Sequence, residues 1–121
     1  MIDATVGLRE AQWHLQRADF VGGSVWVRDS GAAIGASVRI RILARDVSVA
    51  LNRLDHTSIL NQLEGKVTAI AEDDHAGQVL VRVQVGAAVL LARITRRSAA
   101  DLVLVPGKPV WVQVKSVALM R

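Results

Sequence analysis

The residues with the clearest chemistry in this 121-residue chain are a lysine and a hydroxyl side by side, Lys115 and Ser116. An ammonium group next to a hydroxyl offers several hydrogen-bond donors, one group being charged, and such donors bind oxyanions. The pair follows a strand-like stretch from Val110 to Val114, where the alternation of apolar residues changes phase. A strand that bends or bulges there re-aims its side chains and frees backbone N–H groups. The sequence therefore indicates an oxyanion site near residue 115.

Other patterns that could support catalysis or metal binding are weak. Three histidines are spread along the chain without an i, i+4 pair, and there is no cysteine: His14, His56 and His75. A metal site is therefore not expected. His56-Thr57-Ser58 joins an imidazole to hydroxyls, but neighbours in sequence do not form a triad. Gly65-Lys66 and Gly107-Lys108 lack the loop and the hydroxyl of a phosphate-binding loop. No enzymatic activity and no cofactor are expected of this chain.

The charge pattern favours a small anion over a polyanion. The net charge is +4, and the basic residues are scattered singly or in pairs. Proteins that bind single-stranded nucleic acid add aromatic stacking platforms, whereas this chain has three Trp, one Phe and no Tyr. Nucleic acid is therefore not an expected partner. The longest apolar stretch, Val85 to Ala92, is too short to cross a bilayer, and no export signal opens the chain. A cytoplasmic location is expected.

The elements that must position Lys115 and Ser116 have the period of two typical of β-strands. Valine and isoleucine alternate with other residues in three segments: 38–42, 79–85 and 110–114. Turn residues separate them at Gly22-Gly23, Ser30-Gly31 and Pro106-Gly107. Several short strands at this spacing predict an all-β fold, either a sandwich or a barrel.

The chain also contains an internal repeat. Residues 22–27 resemble 86–91, and residues 44–50 resemble 114–120, so the spacing grows from 64 to 70. The extra residues of the second half lie where Thr95 could cap a short helix that extends to Leu102. We predict two small barrels, one in residues 1–56 and one in residues 57–121, which pack on each other or dimerise.

Both halves carry a phase break at equivalent places. The apolar positions are even in Val38, Ile40 and Ile42, but odd in Val47 and Val49. A strand bend near Arg45-Asp46, and another near Lys115-Ser116, is the structural prediction. A barrel corner is the favoured interpretation of Arg45-Asp46, whereas an oxyanion site is favoured for Lys115-Ser116.

Three segments of the second half together resemble a known family. Residues 57–67 are similar to the opening of the molybdate-binding Mop domain, whose signature reads Ser-Ala-Arg-Asn. Residues 92–98 and 106–117 resemble the rest of that domain. Residues 20–26 and 38–48 are similar to the domain that precedes Mop in the ATP-binding subunit of molybdate ABC transporters. The chain is thus identified as similar to the C-terminal regulatory domain of that family, of the Mop or TOBE type.

The resemblance implies two OB-like β-barrels, with one short helix in the second, and an oxyanion site for molybdate or tungstate. The residues that match the family's site are Ser58, Ile59, Leu60, Asn61, Thr95, Lys115 and Ser116. Leu60 is a departure, because free molybdate-binding proteins and regulators of the family carry arginine there. This pocket therefore lacks one forked, charged donor.

The resemblance also implies a function. The domain would sense cytoplasmic molybdate and help to dimerise the ATPase subunits. It would lie at the inner face of the membrane and reach the permease subunit through the ATPase module. A free-standing molybdate storage protein is an alternative, although the first half has no Ser-x-x-Asn signature. The other alternative is an OB-fold nucleic-acid binder.

Overall fold

A computed structural model describes residues 1–120 of the chain, and this part is built almost entirely from β-strands. The strands are β1 Ile2–Glu10, β2 Leu15–Phe20, β3 Gly23–Arg28, β4 Ser37–Arg41, β5 Val47–Ala50, β6 Asn61–Glu72, β7 Gln78–Val85, β8 Ala88–Thr95, β9 Pro109–Val114 and β10 Ala118–Met120. The helices are α1, Arg96–Asp101, and two 3₁₀ turns, Ala11–Trp13 and Ala44–Asp46. The predicted all-β class with one short α-helix is confirmed. No helix within residues 1–120 is long and apolar enough to span a bilayer.

The strands form two curled, antiparallel, five-stranded sheets with the same order. The first sheet is β10-β4-β1-β2-β3 and the second is β5-β9-β6-β7-β8. Four consecutive strands of each half therefore occupy matching places, as an internal repeat requires. The fifth strand of each sheet comes from the other half: β5 pairs with β9, and β10 pairs with β4. Neither half completes a sheet from its own strands, and the boundary between residues 56 and 57 stays a prediction.

The two predicted phase breaks are the points where the chain crosses between the sheets. After β4 ends at Arg41, the 3₁₀ turn Ala44–Asp46 leads into β5 in the second sheet. After β9 ends at Val114, three residues lead into β10 in the first sheet. The prediction of a break at both places is confirmed. The alternation changes phase because the residues on either side face different sheets.

The register of the repeat differs from the sequence match. The pair Phe20–Gly23 closes the β2–β3 hairpin, and Val85–Ala88 closes the β7–β8 hairpin. Position 20 thus corresponds to 85 and position 23 to 88, a spacing of 65, so the predicted 64 is wrong by one residue. A slip of one residue exchanges the two faces of a strand. The spacing of 65 matches buried Val25 to buried Leu90, whereas 64 would match it to exposed Val89.

The two hairpin turns meet at the contact between the halves. Gly22 and Gly86 both have positive φ, and a Cβ built on Gly22 would lie 2.4 Å from the Gly86 Cα. Ala87 also donates its backbone N–H to the Val21 carbonyl at 3.1 Å. Only glycine allows this approach, because a side chain at either position would have to push the other backbone away.

The core is a continuous cluster dominated by valine from both sheets. β-Branched side chains pack well on pleated surfaces, which explains the long alternating valine stretches. The fully buried positions include Val81 and Val83 of β7 and Ile40 of β4. Ile40 stands opposite Ile2 on one side and Leu119 of the exchanged strand on the other.

Candidate functional site

The signature segment 58–61 enters β6 with its side chains in different surroundings. Ser58 is exposed, Ile59 is half-buried, and Leu60 is 61% exposed. Asn61 is buried, and its side-chain amide both accepts a hydrogen bond from the Trp26 backbone and donates one to it. The Trp26 N–H donates to Oδ1 at 2.7 Å, and Nδ2 donates to the Trp26 carbonyl at 2.9 Å. Asn61 therefore attaches the signature segment to β3 of the first half.

Thr95 begins α1 as the sequence predicted. Its Oγ1 accepts a hydrogen bond from the Ser98 backbone N–H at 3.0 Å and lies 2.8 Å from the Ser98 hydroxyl. This satisfies one of the free N–H groups at the start of a helix. Thr95 is exposed, so its hydroxyl is at the surface.

Lys115 and Ser116 lie in the crossing between β9 and β10, and both are exposed. The backbone N–H of Lys115 donates to the Asp46 carbonyl at 2.8 Å. The two crossings are thus joined to each other, and this bond positions Lys115 next to the 3₁₀ turn of the first half.

Lys115 lines an open cavity of about 260 Å³, named the basic cavity below. Polar or cationic groups come from Arg45, Ser48, Arg93, Gln113 and Lys115. The remaining walls are Asp46, Val47, Ile59 and Ile94. Ile59 and Lys115 are the two predicted site residues that line it. The other five, Ser58, Leu60, Asn61, Thr95 and Ser116, lie outside its lining.

Leu60 faces a different cleft. It lines a cavity of about 490 Å³ together with Trp13, Trp26, Leu15 and Glu10. This cleft contains a carboxylate and no lysine or arginine, so it differs in charge from the basic cavity. In this chain position 60 lies next to the tryptophans and not beside Lys115.

Sequence reasoning missed Arg45, Arg93, Ser48 and Gln113 as cavity residues. Arg45 was interpreted as part of a barrel corner; it lies in the corner and also lines the cavity. The repeat carried a usable signal, because the match of 44–50 with 114–120 equates Arg45 with Lys115. Arg93 and Gln113 reach the cavity from β8 and β9, and no local pattern indicates that.

Three cationic residues line the basic cavity: Arg45 and Lys115 are unpaired, and Arg93 is paired with a carboxylate. Among residues 1–120, neither Arg45 nor Lys115 forms an ion pair. The Nε of Arg93 lies 2.7 Å from Oδ2 of Asp73. The pKa of Asp73 is lowered, first by the hydrogen bond from the Asp74 N–H, with burial opposing and Arg93 adding to the decrease. Asp46 contributes the one carboxylate in the lining.

Metal binding finds no support in the geometry of the described chain. From residue 1 to residue 120, no three His, Asp or Glu side chains come together in a way that could hold an ion. The basic cavity is instead suited to accept negative charge.

Comparison with known families shows where the chain belongs. Residues 57–120 match the model of the TOBE domain. This chain is therefore a member of the TOBE domain family, and the match covers the half that was predicted to be Mop-like. The predicted resemblance is confirmed at this level.

The curated relatives extend the similarity to the whole chain. The molybdenum import ATP-binding protein ModC of Methylococcus capsulatus is 58% identical over 121 residues, covering 100% of this chain and 34% of that protein. The protein of the same name from Thiobacillus denitrificans is 48% identical over 120 residues, covering 99% of this chain and 33% of that protein. The chain thus spans about a third of the length of these relatives.

A solved structure supports the architecture. The fold matches the cytoplasmic molybdate-binding protein ModG, in a crystal form with molybdate bound, with a TM-score of 0.76. The sequences are 23% identical, and the match covers 98% of this chain and 93% of that one. The predicted pair of OB-like barrels is confirmed as a fold by this comparison.

Proposed function

We propose that this chain is an oxyanion-binding regulatory domain of a molybdate importer's ATP-binding subunit, with molybdate or tungstate as its ligand. The observation that carries the proposal is the meeting of Lys115 with Arg45 and Arg93 around one cavity. The names of two of its curated relatives supply the transport context.

The chemistry of the basic cavity suits a dianion. Arginine and lysine donate charged hydrogen bonds, which are about twice as strong as neutral ones. Leu60 provides no donor, and it lies in the cleft beside Trp26. The cationic charge near the ligand would therefore come from the crossings and from β8. Asp46 opposes anion binding, and two unpaired cations outweigh its single charge.

The remaining predicted ligands are neutral donors at the surface. The hydroxyls of Ser58, Thr95 and Ser116 are exposed, outside the lining of the basic cavity. We propose that they take part when a second copy of the chain packs against this one. Their hydrogen bonds depend on where the partner lies, so an anion bound there would favour one arrangement of the pair. A ligand shifts such an equilibrium only by its differential affinity for the two arrangements.

In the whole importer this coupling would make the domain a sensor. Molybdate accumulating at the cytoplasmic side would bind, alter the placement of the attached ATPase modules and slow further import through the permease subunit. The role of this chain is thus binding and regulation, with ATP hydrolysis assigned to the ATPase module.

Isothermal titration of residues 1–121 with molybdate, tungstate and sulfate tests the binding claim. We expect saturable binding of molybdate and tungstate, with sulfate weaker because a smaller anion reaches fewer of the donors around an open cavity of about 260 Å³. The Lys66→Ala variant is a matched control, since Lys66 is exposed on β6 away from the basic cavity. Absence of binding for all three anions would overturn the proposal. Tight oligonucleotide binding at physiological salt would favour a nucleic-acid binder instead.

A further inference from the structure

The side chain of Gln113 is buried without a full set of hydrogen bonds. It is 1% exposed, and its Oε1 accepts a hydrogen bond from the Ser48 hydroxyl at 2.9 Å. Its Nε2 is the one buried side-chain polar atom in residues 1–120 that lacks a partner. A buried donor left unsatisfied costs free energy, so such groups are rare in native proteins and call for a physical reason.

The buried glutamine of the other half shows that this chain normally satisfies such groups. Gln16 is also fully buried. Its Oε1 accepts from the Ser30 backbone N–H at 2.8 Å and from the Ser30 hydroxyl at 2.6 Å, while its Nε2 donates to the Ala32 carbonyl at 3.4 Å. An unsatisfied amide is therefore not a general property of this core.

The location of Gln113 supplies the reason. Gln113 is one of the residues that line the basic cavity, together with Arg45, Arg93 and Lys115. The cavity volume of about 260 Å³ far exceeds the ~30 Å³ share of one water molecule, so a polyatomic ion has room there. The unpartnered group is a donor, and the two unpaired cations of the lining, Arg45 and Lys115, outnumber its one carboxylate, Asp46. Both features favour an acceptor that carries negative charge.

The cavity also takes its parts from both halves. Ser48 lies on the exchanged strand β5, directly opposite Gln113 on β9, and Arg45 lies in the turn just before β5. The guanidinium that position 60 lacks is thus present at position 45, on a different element.

We infer that Gln113 is a ligand-binding residue that donates its amide N–H to the oxyanion, with Ser48 as the residue that positions it. Arg45 of the first half supplies a guanidinium to the same ion. This inference rests on the proposed function and adds to it a buried donor on β9, Gln113, and the residue that positions it, Ser48. Binding would then hold the two halves together at the crossing.

The test is titration of Gln113→Leu and Gln113→Glu with molybdate, together with thermal unfolding. Because a hydrogen bond to a charged group is lost, Gln113→Leu is expected to weaken binding roughly tenfold to hundredfold. It should keep or raise the unfolding temperature, since it also removes the unsatisfied donor. Gln113→Glu should abolish binding, because a carboxylate would face the anion. Gln16→Leu is the matched control, expected to unfold at lower temperature and to bind molybdate as the unsubstituted chain does.

Three further variants keep the inference open to refutation if Gln113→Leu fails to fold. Ser48→Ala should weaken binding while Ser48→Thr, which keeps the hydroxyl, should restore it. Arg45→Ala should weaken binding by a similar factor. Unchanged affinity in a folded Gln113→Leu variant, or in a folded Ser48→Ala variant, would overturn the inference and leave the proposed function standing. An unsubstituted chain that binds no oxyanion would overturn both.

Discussion

The two halves have the same strand order but form cavities that differ in charge. The first-sheet cavity, of about 310 Å³, is lined by Val27, Arg28, Asp29, Ser30, Val117, Ala118 and Leu119. With the spacing of 65, its Arg28 corresponds to Arg93 and its Asp29 to Ile94. The exchanged strands place Ser48 opposite Gln113 in one sheet and Ala118 opposite Arg41 in the other.

A small number of side chains accounts for the difference. Where the basic cavity has an apolar wall at Ile94, the first-sheet cavity has the carboxylate of Asp29. Hydrogen bonds hold the pKa of Asp29 below its ordinary value of 3.8, first from the Gly31 N–H and then from Arg9, with burial opposing. That carboxylate stays charged at neutral pH and is paired with Arg9 at 2.8 Å. The first-sheet cavity has one cationic residue in its lining, Arg28, whereas the basic cavity has three. The fold thus provides two equivalent cavities, and the side chains make one of them suited to an oxyanion.

The largest effect on molybdate affinity is expected when a carboxylate is introduced at position 94, where the first-sheet cavity has Asp29. In Ile94→Asp a negative charge would face the anion, and like charges in such a site cost several kcal/mol. We expect molybdate affinity to fall by more than about a hundredfold in titration calorimetry. Ile94→Asn has nearly the same shape without the charge and is the control. Equal affinity of the Asp and Asn variants would place the anion elsewhere.

Removing the lysine should give the next largest effect. Lys115→Ala is expected to weaken oxyanion binding by about 1.5–3 kcal/mol, the usual value of a hydrogen bond to a charged group. The fold should be retained, because Lys115 is exposed at the crossing. Calorimetry with molybdate measures the first quantity and urea unfolding the second. A folded variant with the affinity of the unsubstituted chain would remove Lys115 from the site.

Ser30 and Thr95 occupy equivalent positions in the two halves, and a smaller effect is expected from removing the Thr95 hydroxyl. Ser30 accepts a loop N–H from Ala32, whereas Thr95 caps α1. Thr95→Ala should lower the free energy of unfolding by about 1 kcal/mol through loss of the cap, and Thr95→Ser should recover most of it. The molybdate affinity of Thr95→Ala should fall less than that of Lys115→Ala. A larger loss of affinity would contradict this order and make the Thr95 hydroxyl a stronger contact to the ligand than Lys115.

The smallest expected effect is on the pH dependence of the free energy of unfolding, to which Asp29 of the first-sheet cavity contributes. Because the folded-state pKa of Asp29 is depressed, its contribution to stability is full above the unfolded value near 3.8 and is lost as the pH falls through the lower folded value. Asp29→Asn should thus be less stable than the unsubstituted chain at neutral pH, and the two should converge below pH 3.8. Urea unfolding at a series of pH values measures this. A difference that persists unchanged in acid would contradict it.

The alternating valines made the fold class predictable, because strand periodicity is a local property. The phase changes at 45–46 and 115–116 located the breaks, and Thr95 located the helix start. Periodicity does not say which sheet a strand joins, so the exchange of β5 and β10 could not be read from it. The one-residue error in the repeat arose because Gly22 and Gly86 attract a sequence match but occupy different positions in their turns.

The candidate site was less predictable for a physical reason. Lys115 stood out because charge and hydroxyl are adjacent in sequence. Arg93, Gln113 and Arg45 converge on the same cavity from β8, β9 and the turn before β5, through pairings distant in sequence. The orientation of Leu60 toward Trp26 likewise depends on how the signature segment attaches to β3, which only the tertiary structure specifies.

Anomalous diffraction from crystals of this chain grown with molybdate or tungstate tests the central claim most directly, because the metal of the anion marks its own position. We expect a strong peak in the basic cavity, with the anion's oxygens within hydrogen-bond distance of Lys115 Nζ and Gln113 Nε2. A peak away from these atoms, in the first-sheet cavity or beside Leu60 and Trp26, would contradict it, as would the absence of any peak at saturating anion.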